Sequence, residues 1–186
     1  MTCDIVVGSI ADVAEKKGAS IAESFMNCDA MVIIDVSGSM GMTDSRGGLS
    51  RYEVALEELA KLQASMPGKV AVVAFSDGAQ FVPGGVPMML GGGTDLAGAL
   101  RFARIVDGTG MRFVVVSDGE PDDESAAMTE AQMFEARIDT VYVGPERYPA
   151  GRSFLQRLAA ASGGQSVTAD RAQELAAQVE TLLLHA

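Results

Sequence analysis

Residues Met31–Met40 read MVIIDVSGSM, and the fold turns on this stretch. With Ala30 included, five apolar residues run up to Asp35. A short continuous apolar run closed by turn residues reads as a strand buried on both faces. The chain then turns through Val36, Ser37, Gly38 and Ser39, which places Asp35, Ser37 and Ser39 at the carboxyl end of a central strand. Open α/β sheets bind their ligands at that end. Three oxygen side chains at alternate positions, with a glycine to let the backbone fold round, suit a hard cation, because Mg²⁺ and similar ions take oxygen ligands.

Two further pieces lie downstream. Gly91-Gly92-Gly93-Thr94-Asp95 is a flexible loop that delivers a hydroxyl at the start of a helix, and Ser117-Asp118-Gly119 closes a second strong strand, Arg112 to Val116, with a carboxylate. In residue type, order and spacing the three pieces match a metal-ion-dependent adhesion site (MIDAS). The chain thereby resembles the von Willebrand factor A (VWA) family, over roughly residues 29 to 184.

The resemblance implies a doubly wound, mostly parallel six-stranded sheet with helices on both faces and one short antiparallel edge strand. It divides the chain into an N-terminal extension, residues 1–28, and a VWA domain, residues 29–186. It also implies that Ser37, Ser39 and Thr94 reach the ion, while Asp35 and Asp118 hold it directly or through water. Mg²⁺ is the expected ion, with Mn²⁺ or Ca²⁺ as alternatives. An ion held mostly by neutral hydroxyls keeps its positive field and attracts an outside anionic oxygen, in this family an Asp or Glu carboxylate of a partner protein. The implied role is a protein-binding adaptor, by analogy one that serves an AAA+ ATPase of the MoxR or chelatase type. Met40, Met42, Asp95 and Glu120 are the candidates for partner contact.

Plainer readings stand beside these. Ser37 and Ser39 suit a turn that bonds its own backbone, Thr94 suits a helix N-cap, and Asp118 before Gly119 is a common end to a strand. Asp122, Asp123 and Glu124 follow Pro121 at a helix start, where carboxylates stabilise the dipole. The alternative function is a metal-dependent, phosphatase-like hydrolase on a Rossmann-like scaffold. That chemistry wants an aspartate nucleophile with a second acid or a lysine near the ion, whereas the residue two after Asp35 is Ser37. His185, the only histidine, lies next to the C-terminus; no G-x-S-x-G elbow occurs, and the Gly91 loop lacks a P-loop lysine. The expectation is a non-enzyme.

Along the rest of the chain strand and helix patterns alternate. Ser50 with Glu53 announces a helix by a capping box. Strands are expected at Lys69 to Ser76, Met111 to Ser117, Ile138 to Gly144 and Gln165 to Thr168, with short extended pieces at Ala79 to Val82 and Val86 to Leu90. Helices are expected at Thr94 to Val106, Asp122 to Ala136 and Gly151 to Ala161, and from Asp170 to the apolar stripe ending at Leu183. In the first 28 residues Cys3 to Gly8 suits a strand, and Ile10, Val13, Ala14, Ile21 and Phe25 fall near helical spacing with Gly18 as a weak point. That segment reads as an element packed on the domain or as an arm for a partner.

The 186 residues, 48% hydrophobic and 21% charged, can bury one substantial core. A net charge of -11 repels nucleic-acid phosphates and favours a divalent cation. Cys3 and Cys28 are too few and too far apart for a CxxC or zinc site and read as reduced thiols. Neither a signal-peptide pattern nor an apolar run of about 20 residues is found, so no membrane span and a cytoplasmic location are expected.

Overall fold

The computed structural model describes residues 5–44, 48–145 and 148–168. The expected helix after Asp170, His185 and Cys3 lie outside them. The described sheet has strands β1 (Ala30–Asp35), β2 (Val70–Phe75), β3 (Ala79–Phe81), β4 (Arg112–Ser117), β5 (Ile138–Tyr142) and β6 (Ser166–Thr168). Their order is β3-β2-β1-β4-β5-β6. Every pairing is parallel except that of β2 with the three-residue edge strand β3. The α-helices among the described residues are α1 (Ile10–Lys17), α2 (Ile21–Phe25), α3 (Arg51–Ser65), α4 (Leu96–Ala103), α5 (Glu124–Ala131) and α6 (Pro149–Ala161).

Both faces of the central strands are apolar, so both must be covered. Every residue of β1 and β2 is buried. Successive side chains of a strand point to opposite faces. Met31, Ile33, Val73, Phe113 and Val115 therefore pack on one side with Leu96 and Leu100 of α4, Ala127 of α5 and Phe154 and Leu158 of α6. Val32, Ile34, Val72, Val114 and Val116 pack on the other with Ala55, Leu59 and Leu62 of α3. Each large apolar side chain buried in this way contributes about 1.5–3 kcal/mol.

The element ends differ instructively from the sequence pattern. Helix α3 starts at Arg51 through the expected capping box: Ser50 N–H donates to the Glu53 carboxylate at 2.7 Å and Glu53 N–H to Ser50 Oγ at 3.1 Å. Helix α4 is capped by Asp95, which accepts from Gly98 N–H at 2.8 Å, so Thr94 lies outside the helix. Helix α5 is capped by Asp123 and stops at Ala131 instead of continuing to Ala136. The Asp107 carboxylate accepts from the backbone of Glu135 and Ala136 and holds them out of helical register. The turn also seats Phe134 edge-on to Phe113, with ring centres 5.0 Å apart.

Val86 to Leu90 forms no strand. The Tyr52 hydroxyl donates to Pro87 O at 2.6 Å, and the amides of Leu90 and Gly91 donate to Val36 O at 3.3 and 3.1 Å. These bonds pull the segment across the carboxyl end of the sheet instead of along its edge.

In the N-terminal stretch, Gly18 at φ +62° ends α1 and separates it from α2. Residues 5–8 join no strand; Val6 N–H donates to Gly84 O, and Gly68 N–H donates to Gly8 O. Ile10 is buried in the core beside the same face as Cys28. Cys28 is a free thiol, pushed up to about 11 by burial. Among the described residues no helix is long and apolar enough to cross a membrane.

Candidate metal centre

The chain leaves β1 for α3 on one face and leaves β4 for α5 on the other, so the loops after these neighbouring strands part and open a crevice. Parallel register sets Ile34 beside Val116, which brings Asp35 and Ser117 together at the mouth of that crevice. Ser117 Oγ donates to Asp35 Oδ2 at 2.7 Å. The other carboxylate oxygen, Oδ1, accepts from Ser37 N–H at 2.9 Å, which curls the backbone so that Ser37 Oγ and Ser39 Oγ stand 3.2 Å apart. Asp35 and Ser37 are buried, and Ser39 is partly exposed.

The glycine loop is tied to this turn by Gly38 N–H donating to Gly92 O at 3.3 Å. Gly92 sits at φ +80°, and a Cβ there would run into the Asp77 carboxylate. Two consecutive amides of the loop are claimed by carboxylates from different directions. Gly93 N–H donates to Asp77 Oδ1 at 2.7 Å and Thr94 N–H donates to Asp122 Oδ2 at 2.9 Å. Asp122 N–H returns a bond to Thr94 O at 3.1 Å. Thr94 is thereby pinned between the loops after β2 and β4, and it is 6% exposed.

Asp118 is 2% exposed and faces a buried arginine. Arg51, 3% exposed, donates from Nη1 to Asp118 Oδ2 at 2.8 Å, and from Nε and Nη2 to the two oxygens of Asp44 at 2.8 Å each. The loop holding Asp118 is pressed against the first turn of α6, where Gly151 has no room for a Cβ over Asp118 O. Asp118 Oδ1 is buried and has no hydrogen-bond partner among the described residues.

Asp35 senses the charge of Asp118. Burial pushes Asp35 up to about 6; the donors Ser37 and Ser117 pull it back, and the Asp118 charge adds to the rise. A cation between the loops relieves both effects. Among the described residues no three His, Cys, Asp or Glu side chains gather to hold a metal, so the donors at the mouth are two carboxylates and a set of hydroxyls. An all-oxygen set with an orphaned carboxylate oxygen fits a hard divalent cation and does not fit a zinc site of thiolates and imidazoles.

Of the residues singled out in the sequence, the fold brings Asp35, Ser37, Ser39, Thr94 and Asp118 to one end of the sheet. The contact candidates divide. Met40 is fully buried in the core under α3 and has no surface to offer a partner. Asp95 is used as the α4 cap. Glu120 and Met42 are exposed, and Met42 Sδ accepts from Arg51 Nη2 at 3.3 Å. Sequence reasoning missed Arg51, Asp44 and Asp77, named Ser117 in the motif without its bond to Asp35, and read Asp122 as part of a helix start. The one available signal was a basic residue directly after the capping Ser50, in a position that does nothing for the helix dipole.

No protein-family model matches the chain, and no curated protein does. Among solved structures it is similar to an aerotolerance-related membrane protein from Bacteroides fragilis NCTC 9343 carrying multiple mutations to serines. The TM-score is 0.68 at 18% identity, over 84% of this chain and 98% of that one. It is similar to a von Willebrand factor type A protein from Catenulispora acidiphila, with a TM-score of 0.61 at 19% identity, over 83% of this chain and 41% of that one. It is also similar to the manganese-loaded TRAP protein of Plasmodium vivax, with a TM-score of 0.52 at 13% identity, over 85% of this chain and 74% of that one. At these identities the likeness is one of fold.

Proposed function

Starting from a chain with the von Willebrand factor A fold, we propose that it is a divalent-metal-dependent protein-binding module of the cytoplasm and not an enzyme. Ser37, Ser39, Thr94, Asp35 and Asp118 hold Mg²⁺, or Mn²⁺ in its place. The observation that carries this reading is the orphaned, buried Asp118 Oδ1 at the end of the sheet where the Asp35 carboxylate and the Ser37 and Ser39 hydroxyls also stand. When bound, the ion supplies an electrophilic point for an external anionic oxygen. The chain's own part is to present neutral donors, so that the ion's field is not quenched, and to fix them by the amide bonds from Ser37, Gly93 and Thr94.

The partner offers an Asp or Glu carboxylate, and an AAA+ ATPase of the MoxR or chelatase type is one such partner by analogy of fold. Exposed Glu120 and Met42 border the approach, and residues 1–28 form an extension to the domain that carries the site.

The test is capture from the source cell's lysate by wild type with Mg²⁺, by wild type with EDTA, and by Ser37→Ala/Ser39→Ala with Mg²⁺. A protein retained by metal-loaded wild type alone supports the reading. Identical retention in all three arms overturns it.

A further inference from the structure

The arginine that grips Asp118 is the least expected residue near the crevice. A full positive charge stands beside a group that the proposed function gives to a divalent cation. Arg51 is 3% exposed, and all three of its nitrogens donate to anions or a sulfur. Four of its five N–H donors have identified partners, since Nη1 goes to Asp118 Oδ2, Nε and Nη2 to Asp44, and Nη2 also to Met42 Sδ. Asp44 is mostly buried and Asp118 almost wholly so. Position and backbone hold this arrangement firmly, since the capping box of Ser50 fixes the turn from which Arg51 projects.

Three consequences follow from charge alone. Burying Asp118 as a bare anion is costly, and Arg51 offsets that cost without any metal. Gripping Oδ2 orients the carboxylate and leaves Oδ1 free. A cation that then reaches Oδ1 meets a carboxylate already neutralised, with a guanidinium behind it, so it is held less tightly than two bare carboxylates would hold it. A loosely held, incompletely neutralised ion is the kind that seeks a further anionic ligand.

We propose that Arg51 is the charge-setting residue of this site, which lets Asp118 be buried without metal and deliberately weakens the grip on the divalent ion. The inference rests on the metal-binding reading given above. It differs from a purely structural role in the sign of one effect. If Arg51 only braced Asp118, removing it would loosen the site and weaken metal binding. If it sets the charge, removing it tightens metal binding while the metal-free protein becomes less stable.

The experiment is calorimetric titration of the full chain with Mg²⁺ alone, with the metal-free thermal midpoint measured alongside, for wild type, Arg51→Gln, Arg51→Lys and Asp44→Asn. Arg51→Gln is expected to melt lower than wild type without metal and to bind Mg²⁺ about tenfold or more tightly, because a fixed positive charge has gone from beside a divalent ion. Arg51→Lys keeps the charge but loses the bidentate grip on Asp44, so its Mg²⁺ affinity is expected to lie nearer that of wild type than that of Arg51→Gln. Asp44→Asn strips Arg51 of one counter-anion and weakens Mg²⁺ binding, and it keeps the test alive should Arg51→Gln fail to fold. Weaker or unchanged Mg²⁺ binding in Arg51→Gln, or binding in Asp44→Asn as tight as in wild type, overturns the proposal. Absence of Mg²⁺ binding by wild type itself overturns the metal reading beneath it, which is a different result from any of these.

Discussion

Asp35 ends β1 and Asp118 follows the neighbouring parallel strand β4; both are almost wholly buried, and their neighbourhoods have opposite character. Asp35 is held by neutral donors, the Ser37 amide and the Ser117 hydroxyl. Asp118 is held by a guanidinium. Neutral hydrogen bonds orient a carboxylate and lower its energy without cancelling its charge, and burial accordingly pushes Asp35 up to about 6. An ion pair cancels the charge but binds the carboxylate to a rigid neighbour. One crevice thus contains one carboxylate that lacks a cation and one that already has one.

The largest effect that tests this contrast is removal of the guanidinium. Without metal, Arg51→Met is expected to cost about 3–5 kcal/mol, because it leaves a buried carboxylate uncompensated. The double variant Arg51→Met/Asp118→Asn recovers a large part of that loss. Denaturant unfolding of both checks it, and a double variant no more stable than the single one breaks the contrast.

A somewhat smaller effect lies on the Asp35 side and depends on pH. Its folded-state value of about 6 lies above the ordinary carboxylate range of the unfolded chain. The folded protein therefore binds this proton more tightly than the unfolded chain, and Asp35's contribution to metal-free stability falls as pH rises through that window, then stays level above it. Relative to wild type, Asp35→Asn gains about 2 kcal/mol between pH 4 and pH 6.5. A stability difference that stays flat with pH shows that Asp35 is not the uncompensated member.

The smallest effect sharpens the role of local structure. Ser50→Ala removes the cap that starts α3 one residue before Arg51, and it is expected to cost about 1 kcal/mol by thermal or denaturant unfolding. A much larger loss would mean that the cap also holds the Arg51 ion pairs in place.

The two sides also differ in how much of them could be read from the chain. Asp35, Ser37 and Ser39 lie within five residues of one another at the end of a strand whose apolar run is unmistakable, and β1 and β4 run where continuous apolar stretches end in oxygen side chains. The alternation of such runs with capped helices made a mostly parallel sheet with helices on both faces legible, while the antiparallel edge strand was implied by the family resemblance. The Arg51–Asp118 pair joins residues 67 positions apart, and no local pattern records such a contact.

The misreadings have the same origin. Thr94 and Asp95 are both good capping residues, and only the tertiary bond from Thr94 to Asp122 decides that Asp95 takes the cap. Met40 has the composition of a contact residue, yet the turn after Ser37 drives it into the core. Val86 to Leu90 is extended enough for a strand, but its amides are drawn to Val36 at the end of the sheet instead.

The most direct measurement is a calorimetric titration of the full chain with Mg²⁺, wild type beside Ser37→Ala/Ser39→Ala. The account predicts saturable binding by wild type at one ion per chain, and binding weakened by at least about tenfold in the double variant, because Mg²⁺ requires its oxygen ligands in near-ideal geometry. Equal affinity in the two proteins would contradict it, since the hydroxyls that the turn after β1 brings together would then have no part in holding a metal.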